Sequence, residues 1–261
     1  MSRIDEIFAA LRADGRKALM PFICGGHPTP DATPGLLRAA AEGGASIIEV
    51  GFPYSDPIAD GPVIASAMHT AIEAGATQGK VFDAVRSVRD ELSVGLIAMV
   101  SVSIVERLGG AATFVQRAKD AGFDGFIFPD APLEESDGLL KAAGAAGLTV
   151  SLLVAPTTPP ERAAEIAKAC TGFVYLIARS GITGERSDAP EIAGRVGRLR
   201  ESTDLPIACG FGISSSDQVR AVVRHADAAI VGSALVRAVA AAADPALATR
   251  DLVRELASGL N

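Results

Sequence analysis

The sequence predicts an α/β fold: a single (β/α)8 barrel of the TIM type with an extra amino-terminal helix, residues 1–261 forming one domain. Three observations carry that expectation. Short apolar or β-branched runs alternate with helical segments eight times along the chain, which is how parallel βαβ units read. No linker or shift in composition divides the 261 residues, a length that one such barrel commonly fills. Glycine-bearing turns also gather after the last three strands, where barrels place ligand sites. An open doubly wound sheet is the competing architecture, and it fits eight units at this length less well.

The elements follow in order. Ile4, Ile7, Phe8 and Leu11 share one helical face, with acids among them; this is an amphipathic helix and not a basic-then-apolar leader. Ala18 to Ile23 is the first strand, closed by the turn Cys24-Gly25-Gly26-His27-Pro28, and Asp31 to Glu42 has helical spacing. The second strand, Ser46 to Val50, is followed by helical pieces at 63–74 and 79–92. Strands at 94–100, 125–128, 149–154, 172–178, 205–209 and 228–231 then alternate with helices at 111–121, 134–146, 159–169, 189–201 and 214–224. Two helical pieces end the chain.

Composition excludes several functions. The formal charge of −7, with no Lys/Arg cluster, offers no track for nucleic-acid phosphates. Aromatics are 5%, without tryptophan, so stacking platforms are lacking. No apolar run reaches the roughly 18 residues of a membrane helix. Cys24, Cys170 and Cys209 are far apart and odd in number, which points to free thiols in a reduced, cytoplasmic setting. His27, His69 and His225 are scattered without metal spacing, so no metal site is expected.

The chemistry concentrates in Ser46 to Pro62, SIIEVGFPYSDPIADGP. Glu49 lies near the carboxyl end of a strand and Asp60 on the loop behind it. Two acids in unlike surroundings can divide acid and base work, because the drier one titrates at higher pH. The plain alternatives are a buried Glu49 tied to a polar neighbour, and Asp56 and Asp60 as turn caps. The turns Ser180–Gly184, Gly210–Ser214 and Gly232-Ser233 follow the sixth, seventh and eighth strands and together suggest a phosphate grip. None of these turns contains Lys or Arg, so backbone N–H groups would dominate the grip. Tyr175 reads as core packing with its hydroxyl satisfied, and Phe22 and Phe211 as pocket walls or barrel caps.

Six motifs, in order, make the chain resemble the tryptophan synthase α subunit family along nearly its whole length. They are Pro21-Phe22, Ile48–Pro57 with Ala59–Pro62, Pro129–Glu135, Ser180–Gly184, Gly210–Ile213 and Gly232–Ala234. The resemblance implies a lyase that splits indole-3-glycerol phosphate into indole and glyceraldehyde 3-phosphate. It implies Glu49 as general acid/base and Asp60 as acceptor of the indole N–H. Phe22, Tyr175, Thr183 and Phe211 become substrate-binding positions, and Gly184, Gly212, Gly232 and Ser233 phosphate-binding ones. It implies no cofactor on this chain, pyridoxal phosphate being carried by a partner β subunit in an α2β2 complex. Asp56 and the Pro129–Pro132 loop match partner-facing positions. One departure stands out: the family's Met-[Thr/Ser]-Tyr-x-Asn-Pro run is replaced by Met99-Val100-Ser101-Val102-Ser103-Ile104. Cys24 and His27 also stand where threonine and aspartate are common. The departures leave open a stand-alone lyase, or a mainly regulatory phosphate binder that activates a partner.

Overall fold

The computed structural model describes residues 1–57, 60–178, 192–210 and 212–260. Its strands are β1 (Ala18–Cys24), β2 (Ile47–Gly51), β3 (Gly95–Met99), β4 (Gly125–Ile127), β5 (Thr149–Ser151), β6 (Leu153–Val154), β7 (Val174–Ile177), β8 (Ile207–Gly210) and β9 (Ala228–Val231). All pair in parallel, in the order β5-β4-β3-β2-β1-β9-β8-β7-β6. The two ends of that order are consecutive in the chain, separated by Leu152 alone. The ring therefore closes through the covalent backbone, as a (β/α)8 barrel whose fifth strand is interrupted. The interruption coincides with a bond to a residue distant in the chain. The Leu152 N–H donates to the Cys170 thiol at 3.2 Å, while its carbonyl accepts from Tyr175 N–H at 3.2 Å.

The period of two in each strand sorts the core into two shells. Ala18, Met20, Ile47, Ile97, Ile127, Tyr175, Ala208, Ala228 and Ile230 fill the barrel. Their alternates, among them Leu19, Ile48, Val50, Leu96, Phe126, Val174 and Ala229, pack outward against the helices. The helix Arg3–Ala13 belongs to the inner shell. Ile4, Phe8 and Leu11 close the amino-terminal mouth, and the Phe8 ring lies 6.0 Å from that of Phe173. Ser2 and Asp5 start this helix as a reciprocal cap.

Helix boundaries follow local chemistry. Thr77, Ser215 and Asp244 each accept a backbone N–H at a helix start. Gly122, at φ 98°, closes the helix Gly110–Ala121 in a left-handed conformation that disfavours other residues. The segment expected as one helix over 79–92 becomes a helix Gln78–Val88 with a 3-10 turn Arg89–Glu91. A short helix, Val102–Arg107, was not expected. The expected elements leave 101–110 unassigned; Ser101 caps this helix by accepting from the Ser103 N–H, and the Val102 N–H donates to the Asp130 carboxylate. All three cysteines are buried free thiols. No helix among the described residues is long and apolar enough to cross a membrane.

Candidate active site

β2 turns Glu49 into the barrel, in register with Phe22 on β1 and Ile97 on β3. Its side chain is 1% exposed and Oε1 has no hydrogen-bond partner. Burial alone raises its pKa from 4.5 to about 8. The Asp60 N–H donates to the Pro57 carbonyl at 3.1 Å, and Asp60 precedes the helix Pro62–Glu73. It is half-buried, and desolvation lifts its carboxyl from 3.8 to about 6. The two acids thus lie on different rungs: near neutral pH Asp60 is ionised while Glu49 holds its proton.

Both acids line one cavity of about 180 Å³ at the carboxyl ends of the strands. Phe22, Tyr175, Gly212, Gly232 and Ser233 line it too, so the cavity gathers every expected site residue that lies among those described. Thr183, Gly184 and Phe211 lie outside the described residues. Phe22 fits because β2 ends in glycine; a Cβ at Gly51 would collide with its ring. Tyr175 fits because β8 ends in Gly210, where a Cβ would lie 2.9 Å from the tyrosine hydroxyl. That hydroxyl stays protonated well above its ordinary range, through burial first and the nearby Glu49 second.

The opposite wall suits an anion. Ser233 opens the helix Ser233–Ala241, and its buried Oγ lacks a partner. Gly212, at φ 86°, lines the cavity with it. A hydroxyl and free N–H groups at a helix's positive end meet a phosphate well, and no Lys or Arg is among the lining residues.

The sequence reading missed the apolar lining, namely Ile64, Met99, Leu153, Ile177 and Ile230. Each follows an inward strand position by two residues or faces the cavity from the first turn of a helix, so strand register was the signal available. Pro129 was expected only to face a partner, yet it also lines the cavity. Asp56, with Asp130, lies instead on an outer groove of about 810 Å³.

A closed parallel barrel with two desolvated acids and a serine-headed helix at its carboxyl mouth is the layout of a (β/α)8-barrel enzyme for a small anionic ligand. The family model described as "Tryptophan synthase alpha chain" matches residues 8–259. The tryptophan synthase alpha chain of Laribacter hongkongensis is 44% identical over 237 residues, 90% of this chain and 89% of that one. That of a Synechococcus strain is 45% identical over 87% of this chain and 85% of its own. Among solved structures, tryptophan synthase from M. tuberculosis superposes with TM-score 0.89 at 33% identity over 100% of both chains. The alpha subunit from Legionella pneumophila gives 0.89 at 32% identity, covering 100% of this chain and 98% of that one. The chain belongs to the tryptophan synthase alpha chain family. It is accordingly a lyase of tryptophan biosynthesis that cleaves indole-3-glycerol phosphate, needs no cofactor of its own and pairs with a β subunit.

Proposed function

We propose that Glu49 and Asp60 carry the cleavage, with the chain acting as a single cytoplasmic catalytic domain over residues 1–261. The protonated Glu49 carboxyl delivers its proton to carbon 3 of the indole, and positive charge spreads to the ring nitrogen. The ionised Asp60 accepts the ring N–H and stabilises that charge where it develops. The Glu49 carboxylate then takes the proton of the side-chain hydroxyl. The carbon–carbon bond breaks, its electrons restore the aromatic ring, and the hydroxyl carbon becomes the aldehyde. Indole and glyceraldehyde 3-phosphate leave, Glu49 ends protonated, and no water is consumed.

The observation that supports this reading best is the pair of desolvated acids on one cavity, held at about 8 and about 6. A group that both gives and takes a proton works best near neutrality. Phe22 and Tyr175, with Thr183 and Phe211, would hold the indole. Ser233, Gly232, Gly212 and Gly184 would hold the phosphate. We place the β subunit, which carries the pyridoxal phosphate, against the groove bearing Asp56 and the Pro129–Pro132 loop in an α2β2 complex.

Indole release from indole-3-glycerol phosphate, followed with and without β subunit, tests the reading. Weak activity that rises steeply with partner fits a coupled subunit. Full activity indifferent to partner would make the chain a stand-alone lyase, and none in either condition would leave only the regulatory role. The pH profile of kcat/KM is expected to be a bell, rising through about 6 as Asp60 ionises and falling through about 8 as Glu49 loses its proton.

A further inference from the structure

The loops after β3 and β4 are joined by a compact hydrogen-bond network. Ser101 Oγ donates to Asp130 Oδ2 at 2.6 Å, and the Val102 N–H donates to both Asp130 carboxylate oxygens at 3.0 and 3.2 Å. Ser103 N–H donates to Ser101 Oγ at 3.2 Å, and the two serine hydroxyls are 2.8 Å apart. With its proton committed to Asp130, Ser101 Oγ is the acceptor in that last bond. Charge-assisted bonds of this kind are about twice as strong as neutral ones. Ser101 is 3% exposed, so water competes little for its hydroxyl.

What this network joins has two faces. Ser101, Ser103 and Asp130 line the outer groove together with Tyr54, Asp56 and Arg107. Two residues before Ser101, Met99 lines the catalytic cavity, and Pro129, immediately before Asp130, lines it as well. The same two segments therefore form a wall of the cavity on one side and of the groove on the other. Half-buried Tyr54 lines the groove and packs against the cluster of Phe22 and Ile64, its hydroxyl held protonated by burial and by Asp60, Asp130 and Asp56.

We propose that Ser101 is a positioning residue that latches the two segments through Asp130, so that a β subunit seated in the groove moves Met99 and Pro129 as one wall of the catalytic cavity. The proposal rests on the placement of the β subunit given above. A coupling between two sites typically changes a rate or affinity fivefold or more. Besides the Val102 N–H, which donates from the backbone, the Ser101 hydroxyl holds Asp130 to this segment, and a substitution as small as serine to alanine removes that hydroxyl alone.

The test uses the full chain with and without β subunit, in wild type, Ser101→Ala and Ser101→Thr. Hydrogen exchange is read over residues 97–104 and 127–133, and indole release is read in parallel. In wild type both segments are expected to gain protection together when β subunit is added. In Ser101→Ala the gain in one segment is lost, and the stimulation of indole release by β subunit falls about fivefold or more. Ser101→Thr, which keeps the hydroxyl, restores both. Joint protection in Ser101→Ala equal to wild type, or a stimulation ratio unchanged within about twofold, overturns the latch. Exchange reads the latch even if no indole is formed, which separates its failure from failure of the lyase assignment. Asp130→Asn, which weakens the acceptor without emptying a buried position, replaces Ser101→Ala if that variant does not fold.

Discussion

The two mouths of the barrel are built on opposite principles. At the amino-terminal mouth the helix Arg3–Ala13 inserts Ile4, Phe8 and Leu11 among inward strand residues. The contact is apolar, and the cap at Ser2 and Asp5 meets helix donors at the surface. At the carboxyl-terminal mouth, Glu49 Oε1 and Ser233 Oγ are buried without partners, and Asp60 is half-desolvated. Buried polar atoms lacking partners each cost about 1–3 kcal/mol. One mouth lowers the free energy of the folded chain. The other gives some of it up to keep groups ready for a ligand that completes their bonding. Stability and chemistry are thus separated along the barrel axis, which predicts that substitutions at the two ends fail in different ways.

The largest effect is expected from Glu49→Gln. Losing the proton carrier should lower kcat for indole release by about 10³-fold or more, general acid–base catalysis contributing 10²–10⁴-fold. The same variant should not lose stability. Wild-type Glu49 has a folded pKa of about 8 against 4.5 unfolded, so the unfolded chain sheds this proton first. Its contribution is complete below pH 4.5 and is lost progressively as pH rises toward 8. At pH 7 the loss is on the order of 3 kcal/mol, at about 1.4 kcal/mol per pH unit. Denaturant melts of Glu49→Gln between pH 5 and 8 should therefore show a flatter pH dependence than wild type, and an unchanged slope would contradict a desolvated Glu49.

Phe8→Ala should do the reverse. Emptying a 5%-exposed ring position is expected to cost about 3–5 kcal/mol, read as a lower denaturation midpoint. Activity per folded molecule should stay at the wild-type level, and a large fall in kcat below the melting transition would break the separation of the two mouths.

Asp60→Asn is intermediate. Removing a charge placed for the transition state should lower kcat by about 10²-fold, as loss of a single stabilising group does elsewhere. The acid limb of the pH profile near 6 should vanish with it.

The smallest effect is expected from Ser233→Ala. Its buried hydroxyl has no hydrogen-bond partner in the free protein, so the variant should lose no stability there. KM should rise about tenfold, the low end for a hydrogen bond to a charged group, with kcat little changed. A change in kcat without one in KM would argue against the phosphate assignment.

Much of this was legible before any coordinates. Glu49 and Asp60 sit within one short stretch, where strand, turn and helix start are fixed by neighbours in the chain. Gly212, Gly232 and Ser233 were placed by strand ends and turn glycines and Tyr175 by the family resemblance, its own pattern reading as core packing; all line the cavity. Ile64, Met99, Leu153, Ile177 and Ile230 were not read, because their convergence depends on how far each strand is staggered against the next. The helix Val102–Arg107 was missed although its cap is local, Ser101 accepting from the Ser103 N–H; Asp130, 28 residues from Val102, adds a second bond to its first turn. The break at Leu152 coincides with a bond to the distant Cys170 thiol.

By itself the sequence determined the alternation of elements, the parallel barrel, and which carboxyls and hydroxyls stand at strand ends. Those follow from periodicity and turn chemistry, which act over a few residues. Only the tertiary structure decided that the fifth strand is broken, that Pro129 lines the cavity, and that Glu49 titrates near 8 while Asp60 titrates near 6. A carboxyl's affinity for its proton depends on the water around it, and how much water remains is set by packing from every strand of the barrel.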